Sequence, residues 1–424
     1  MTQSDTGGPQ RSDRLTDVLG IGVLTRLFQR DLVDEVIASC GRTETRVRLL
    51  PARVVLYYVL ALALFYGDAY EEVMRRLTHG LQRLGNWDDR WTVPSSSAIS
   101  QARTRLGYQP LQELFERTAV PCARPGTRGA WYRGYRIMAI DGVVLDAPDT
   151  PANADAFFRT RNDLKTSPFP QVRVLALAEC GTHAIVGAAI SQGRQEERAL
   201  TRTVIADMTE EMLILADSGF YSYDLWNEVR DCGAQLLWRV SSRLELPVYQ
   251  HLPDGSYLSA VAPKSWHGRA RQGKVSAQSL ARASRPVRVI EYEVADRDQT
   301  TSIRLITSLT DHTETPALDL AELYHQRWEI ENVFDEIETH QMGRPRVLRS
   351  RTPDLVYQEI WAFLLTHYAI RAFMREAADD IDDDPDRLSF VRSLRVIRRQ
   401  VTDQAGFSPS HPAHRNPRHT DRDH

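Results

Sequence analysis

Tyr324, Arg327 and Glu331 recur at steps of three and four residues within Tyr324-His325-Gln326-Arg327-Trp328-Glu329-Ile330-Glu331. A helix through this stretch places a phenol, a guanidinium and a carboxylate on one stripe. Upstream, two apolar runs each carry one aspartate, Ile137-Met138-Ala139-Ile140-Asp141-Gly142 and Leu213-Ile214-Leu215-Ala216-Asp217-Ser218-Gly219. Carboxylates suit hard divalent cations. Two such ions about 4 Å apart cleave phosphodiesters, one activating the attacking oxygen and the other stabilising the leaving oxygen. Both Mg²⁺ and Mn²⁺ accept carboxylate oxygens, so the expected cofactor is two ions of either metal on Asp141, Asp217 and Glu331. Arg327 offers a bidentate phosphate ligand with Tyr324 beside it. Nucleic acid is the substrate class that such a set favours.

Each of these residues also has a plain structural reading. A lone aspartate after a strand commonly caps a turn, Gly142 could mark a bulge, and Arg327 with Glu331 could be an exposed salt bridge. Read jointly they favour the metal site. Leu320, Leu323, Ile330, Val333, Phe334 and Ile337 already supply an apolar helix face without Tyr324 or Arg327.

The elements that must position these side chains follow from periodicity. Residues 1–13 are polar and Gly-containing and are expected to be disordered. Residues 14–120 read as helical throughout, with apolar steps at Leu24, Leu27, Leu32, Val33 and Val36 and a Val54 to Tyr66 core helix. A helix opened by Ser95 runs through Ile99, Ala102 and Leu106 to Gly107. Its outward residues Gln101, Arg103 and Arg105 could read a major groove or simply face water. The Pro/Gly/Arg-rich residues 121–130 form a linker.

Strand patterns follow at Arg136 to Val144, Gln171 to Ala178 and His183 to Ile190. Then come a helix over Glu196 to Met208, the Leu213 strand, a helix near Tyr223 to Val229 and a strand at Gln235 to Val240. Hairpins followed by β-α-β alternation predict an α/β fold with a mixed sheet flanked by helices. This core, 131–345, is interrupted at 241–301 by a β-rich, basic insertion. One helix is expected from Pro316 to His340 and another from Leu355 to Met374, within C-terminal helices over 346–407. Residues 408–424 are expected to be a disordered tail.

At 424 residues, 42 % apolar and 26 % charged, the chain reads as an ordinary soluble protein of roughly two to four domains. A net charge of −3 excludes a uniformly basic coat. It hides a patch, however: Lys264, Arg269, Arg271, Lys274, Arg282, Arg285 and Arg288 meet no acid between positions 262 and 288. Such a run would track a DNA backbone. The 4 cysteines form no metal spacing and read as reduced thiols in a cytoplasmic protein. The start of the sequence lacks the pattern of a secretory signal, and the Val54 run is too short to span a bilayer. No membrane role is expected.

With these residues in view, the chain resembles the transposases of the insertion-sequence-4 group of bacterial mobile elements over roughly residues 14 to 375. Ile140-Asp141-Gly142 looks like the group's first catalytic aspartate and Ala216-Asp217-Ser218-Gly219-Phe220-Tyr221 like its second. Tyr324, Arg327 and Glu331 are similar to its Tyr/Arg/Glu/Lys signature, in which Glu is the third acid. The resemblance implies a ribonuclease-H-like core with a β-rich insertion and an all-α N-terminal domain that recognises the element's ends. It implies Mg²⁺-dependent cleavage at those ends, attack of the freed 3′ hydroxyl on target DNA, a hairpin-ended intermediate, and a homodimer on double-stranded DNA, which in a bacterium places it at the nucleoid. The signature's final Lys is replaced here by Glu338, where an acid should repel phosphate. Two rivals share these residues: an impaired copy that occupies ends as a repressor, and a host nuclease with the same core.

Overall fold

A computed structural model of the chain describes residues 21–46, 48–79, 92–162, 165–296, 299–344 and 346–403. The segments expected to be disordered, 1–13 and 408–424, lie outside the described residues. The chain divides into two compact units.

The first unit, within which the described residues begin at 21, also takes Gln358–Ala369 and the segment from Val391 on. Its described elements are helical: a 3-10 turn Gly22–Arg26, then α1 (Arg30–Ser39), α2 (Ala52–Leu64), α3 (Tyr70–His79), α4 (Ser96–Leu106) and α5 (Gln109–Thr118). Helix α2 is apolar on every side because every side is covered: Val54 through Leu64 are all buried. Burial of side chains of this size is worth about 1.5–3 kcal/mol each, so this helix is the centre of the unit. Its phenols are satisfied internally, Tyr57 donating to the Phe28 carbonyl at 2.9 Å. Helix α4 starts and stops where the sequence predicts, with the Ser95 hydroxyl accepting from Ala98 N–H and Gly107 at φ 71°.

The second unit, Ala119–Tyr357 with Ile370–Phe390, contains the sheet. Its strands are β1 (Trp131–Tyr132), β2 (Tyr135–Asp146), the short pair β3 (Arg161–Asn162) and β4 (Lys165–Thr166), β5 (Gln171–Glu179), β6 (Ile185–Ile190), β7 (Met212–Ala216) and β8 (Gln235–Arg239). They continue with β9 (Gln250–His251), β10 (Tyr257–Val261), β11 (Arg285–Asp296) and β12 (Gln299–Thr307). Among the described residues the main sheet runs β6-β5-β2-β7-β8-β12-β11-β10-β9. β2, β5 and β6 are antiparallel, and β7 and β8 then add parallel to β2. That is the ribonuclease-H-like arrangement: three meander strands, then parallel crossovers through helices. Helix α6 (Pro151–Ala156) lies in the connection from β2 to β5, whereas the crossover helices are α7 (Glu197–Val204) and α8 (Tyr223–Asp231). Trp226 of α8 meets Trp238 of β8 edge-on at 5.3 Å, a contact worth about 0.5–1.5 kcal/mol beyond its burial.

The insertion extends the same sheet through antiparallel pairing of β12 with β8. Its basic stretch is not strand but two short helices, α9 (Trp266–Arg271) and α10 (Ala277–Ala283), between β10 and β11. Gly, Ala and Ser dominate there, and the β-branched alternation resumes only at Val287.

The expected single helix from Pro316 to His340 is four joined pieces: α11 (Ala317–Tyr324), a 3-10 turn His325–Trp328, α12 (Glu329–Asp335) and a π-helical segment Glu336–Met342. Each residue of a 3-10 turn advances about 120° instead of about 100°, so the break re-aims Arg327 relative to its neighbours. The helix α13 (Pro353–Asp380) and α14 (Phe390–Thr402) complete the chain. Among the described residues no helix is long and apolar enough to cross a membrane.

Candidate active site

Parallel pairing of β2 and β7 brings the two aspartates together. Ile140 stands opposite Ala216, so Asp141 and Asp217 each follow a matched pair on adjacent strands. Neighbouring strands lie about 4.8 Å apart, which fixes the scale of the site. β7 ends at Ala216 and leaves Asp217 on the loop edge, whereas β2 continues through Asp141. Register with β5 is unbroken from Met138 to Asp146, so Gly142 marks no bulge. A Cβ at Gly142 would meet the Glu197 side chain at 3.0 Å and would push it aside.

Helix α12 packs on β2 and delivers the third acid. Arg327 Nη1 donates to Asp141 Oδ2 at 3.1 Å and its Nη2 donates to Glu331 Oε1 at 3.0 Å. One guanidinium thus spans two of the three candidate acids. Arg327 is only 8 % exposed, so this is not the exposed salt bridge of the plain reading. Burial pushes the Asp141 carboxyl up from its ordinary range, while the Gly142 N–H and Arg327 pull the other way.

Tyr324 is buried and its hydroxyl donates to the Ala216 carbonyl at 3.3 Å. That bond holds the end of β7 next to Asp217, so the phenol supports the strand. Asp217 Oδ1 is buried and has no hydrogen-bond partner among the described residues, with Arg239 Nη1 3.9 Å away. Glu197 and Arg239 are the neighbours that sequence reasoning missed. Neither carries a local signal: Glu197 reads as a helix surface residue and Arg239 as the end of a strand.

The residues present fit a divalent metal. Asp141 and Glu331 meet through Arg327, Asp217 follows the strand paired with β2 and has one buried oxygen unpaired among the described residues, and all-oxygen donors of this kind suit hard cations. Among the described residues these acids do not share one tight pocket of ligand atoms within 4.8 Å, as His183, Glu329 and Asp386 do. A two-ion site spreads its ligands over a longer span.

The other candidate contacts divide by burial. Lys264, Arg269, Arg271 and Lys274 are exposed on and around α9, as are Arg282 and Arg285, with Arg271 paired to Glu245. Arg288 is fully buried instead, bonding Ser256 Oγ at 2.8 Å and paired with Asp254, and it leaves the basic surface. In α4, Gln101 and Arg105 are exposed, but Arg103 is 2 % exposed. It donates to Gln358 Oε1 at 2.9 Å and to the Tyr70 hydroxyl at 2.8 Å, so it does not reach out. The signal was present: Ile99, Ala102, Arg103 and Leu106 share one helical face. Glu338, in place of the signature's Lys, lies 3.7 Å from Arg346 Nη1.

Two family models match the chain. The family described as "Insertion element 4 transposase N-terminal" matches residues 19–116, and that described as "Transposase DDE domain" matches residues 132–368. The chain is 29 % identical over 387 residues to "Transposase InsG for insertion sequence element IS4" of Escherichia coli strain K12, covering 89 % of this chain and 82 % of that protein. A solved piggyBac transposase synaptic complex with hairpin DNA aligns over 96 % of this chain and 85 % of its own at 11 % identity, with a TM-score of 0.46. Asp141 and Glu331, joined through Arg327, and Asp217, just past the end of the neighbouring strand, lie within the matched transposase DDE domain. The chain belongs to the DDE transposases of the insertion-sequence-4 family, enzymes of DNA transposition that cut and join DNA strands with divalent metal.

Proposed function

We propose that Asp141, Asp217 and Glu331 are the catalytic acids and hold two divalent ions, Mg²⁺ or Mn²⁺, in a cut-and-paste transposase. It cleaves at the ends of its insertion sequence, passes through a hairpin-ended intermediate, and joins the 3′ hydroxyl to target DNA. The observation that carries this reading is the Arg327 fork on Asp141 and Glu331, with Asp217 one register step away. When bound, the ions supply Lewis-acid activation of the attacking oxygen and charge stabilisation of the leaving one. Asp141 orients through the Gly142 N–H at 2.8 Å and through Arg327. Arg327 neutralises two carboxylates and is free to turn to a DNA phosphate once their charge is otherwise balanced. Tyr324 fixes the strand end before Asp217.

Lys264, Arg269, Arg271 and Lys274 would track the DNA backbone with steep salt dependence. Gln101 and Arg105 remain candidates for contact with the terminal repeats, and two copies would bridge two ends as a homodimer. Arg346 brings a cation next to Glu338 and would supply the charge that the signature's Lys provides, which weakens the case for an inactive repressor.

The test is cleavage and joining of an oligonucleotide carrying the terminal repeat, with Mg²⁺ and with chelator. Asp141→Asn, Asp217→Asn and Glu331→Gln should each abolish cutting while end binding persists. Binding by the native protein without cutting would establish the repressor instead. Structure-dependent cutting without joining would establish the nuclease.

A further inference from the structure

We propose that His183, Glu329 and Asp386 form a second cation site, separate from the catalytic acids and suited to one zinc-like transition-metal ion. His183 sits in the turn between β5 and β6 at φ 58°, a left-handed conformation that costs a non-glycine residue energy and directs this imidazole inward. It is 5 % exposed, and its Nε2 makes no hydrogen bond among the described residues. That nitrogen points at Asp386 Oδ1, 3.3 Å away, and Glu329 Oε2, 3.7 Å away. One ligand atom from each of the three residues lies within 4.8 Å of the others.

The spacing is that of ligands around a metal. Donors about 2.0–2.2 Å from a tetrahedral ion stand roughly 3.3–3.6 Å from one another. At the same separations a direct N–H···O bond would be long or absent. The charges agree. Arg371 donates from Nε to Glu336 at 2.9 Å and its Nη1 lies 3.9 Å from Asp386 Oδ1, so a single guanidinium serves Glu336 and Asp386 while Glu329 and Asp386 both face His183 Nε2. A dication offsets both.

The outer contacts bear on how the site would load. Gly181 N–H donates to Glu329 Oε2 and orients it. Glu336 Oε1 lies 3.9 Å from His183 Nδ1, where a carboxylate would take the proton that a metal-bound imidazole carries on its other nitrogen. Arg371 Nη2 now presses on that same Nδ1, so loading the site requires this contact to open. A mixed nitrogen and oxygen set of three, with one position left to water, favours Zn²⁺ over Mg²⁺. The ion would tie the β5–β6 turn and the segment after α13 to Glu329, two positions before Glu331 on the same helix, and so steady the third acid.

The test uses the full chain with Asp141→Asn, Asp217→Asn and Glu331→Gln, so that the catalytic acids contribute no cation site and their failure as ligands is irrelevant. After chelation and dialysis, Zn²⁺ should rebind with one equivalent per chain and raise the melting temperature, Mg²⁺ should not, and Co²⁺ should give the visible absorption of a tetrahedral site. His183→Ala should abolish both signals. Asp386→Asn, at a partly exposed position that keeps its size, should weaken them at least tenfold with the circular dichroism unchanged. Failure of the folded triple variant to retain Zn²⁺, or equal Zn²⁺ binding after Asp386→Asn and His183→Ala, would overturn the site. So would a His183 ring that keeps its proton on Nε2 by NMR when Zn²⁺ is present.

Discussion

Arg327→Gln separates the counter-ion role of this residue from its role toward DNA. In the structure the guanidinium makes charge-assisted bonds to Asp141 at 3.1 Å and Glu331 at 3.0 Å. Such bonds are worth about 1.5–3 kcal/mol when buried. The Asp141 side chain is 23 % exposed and takes most of that value, whereas Glu331 at 43 % is screened by water and contributes well under about 1 kcal/mol. The expected loss in chelated protein is therefore about 2 kcal/mol, or roughly 4 to 6 °C in the melting of the sheet-containing unit. Saturating Mg²⁺ should narrow this gap, because the carboxylates freed from Arg327 gain more from a dication than the paired ones do. Cleavage should nevertheless fall, since the phosphate contact is gone. Differential scanning calorimetry in chelator and in Mg²⁺, with the end-cleavage assay beside it, reads all three quantities. An identical melting deficit in both conditions would refute the counter-ion reasoning.

Tyr324→Phe removes a single buried hydrogen bond to the Ala216 carbonyl and should cost about 1 kcal/mol in urea unfolding. DNA affinity should stay unchanged; a loss of affinity would place the phenol on the substrate instead. Burial holds the Glu338 carboxyl above its ordinary value of 4.5, with Arg346 opposing. Its raised folded-state pKa gives a stabilising contribution that is present below pH 4.5 and lost as pH rises through the folded value. Glu338→Gln should accordingly gain stability relative to the native protein as pH is raised from 4 to 7, and a constant difference across that range would contradict the shift. Arg103→Ala breaks buried bonds to Gln358 and Tyr70 and should cost about 3 kcal/mol. Arg105→Ala should change stability by less than about 0.5 kcal/mol and lower the salt slope of end binding by about 1; the reverse ranking of these two arginines in melting experiments would show that α4 is misplaced.

What the sequence determined by itself was local. Apolar runs of strand length placed β2, β5, β6 and β8, three-to-four-residue apolar steps placed α1 and α4, and a continuous apolar run placed α2. Ser95 and Gly107 marked the ends of α4, because capping depends on residues a few positions apart. The three acids were legible as candidates from residue type and from the Tyr324, Arg327 and Glu331 spacing. Arg103 was expected to face outward with Gln101 and Arg105, although it shares the face of Ile99, Ala102 and Leu106 and is buried. The tertiary structure decided the rest. Parallel pairing of β2 with β7 sets Asp141 beside Asp217, and the 3-10 turn inside the long helix lets Arg327 reach across to β2. Arg288 looked like part of a basic surface until packing enclosed it with Asp254 and Ser256. His183, Glu329 and Asp386 gave no sign of belonging together, for their meeting depends on how a strand turn, a helix and a later loop pack. Hydrophobic periodicity and capping act over a few residues of chain, whereas the partner of a buried charge is chosen by whatever distant group the whole fold brings within reach.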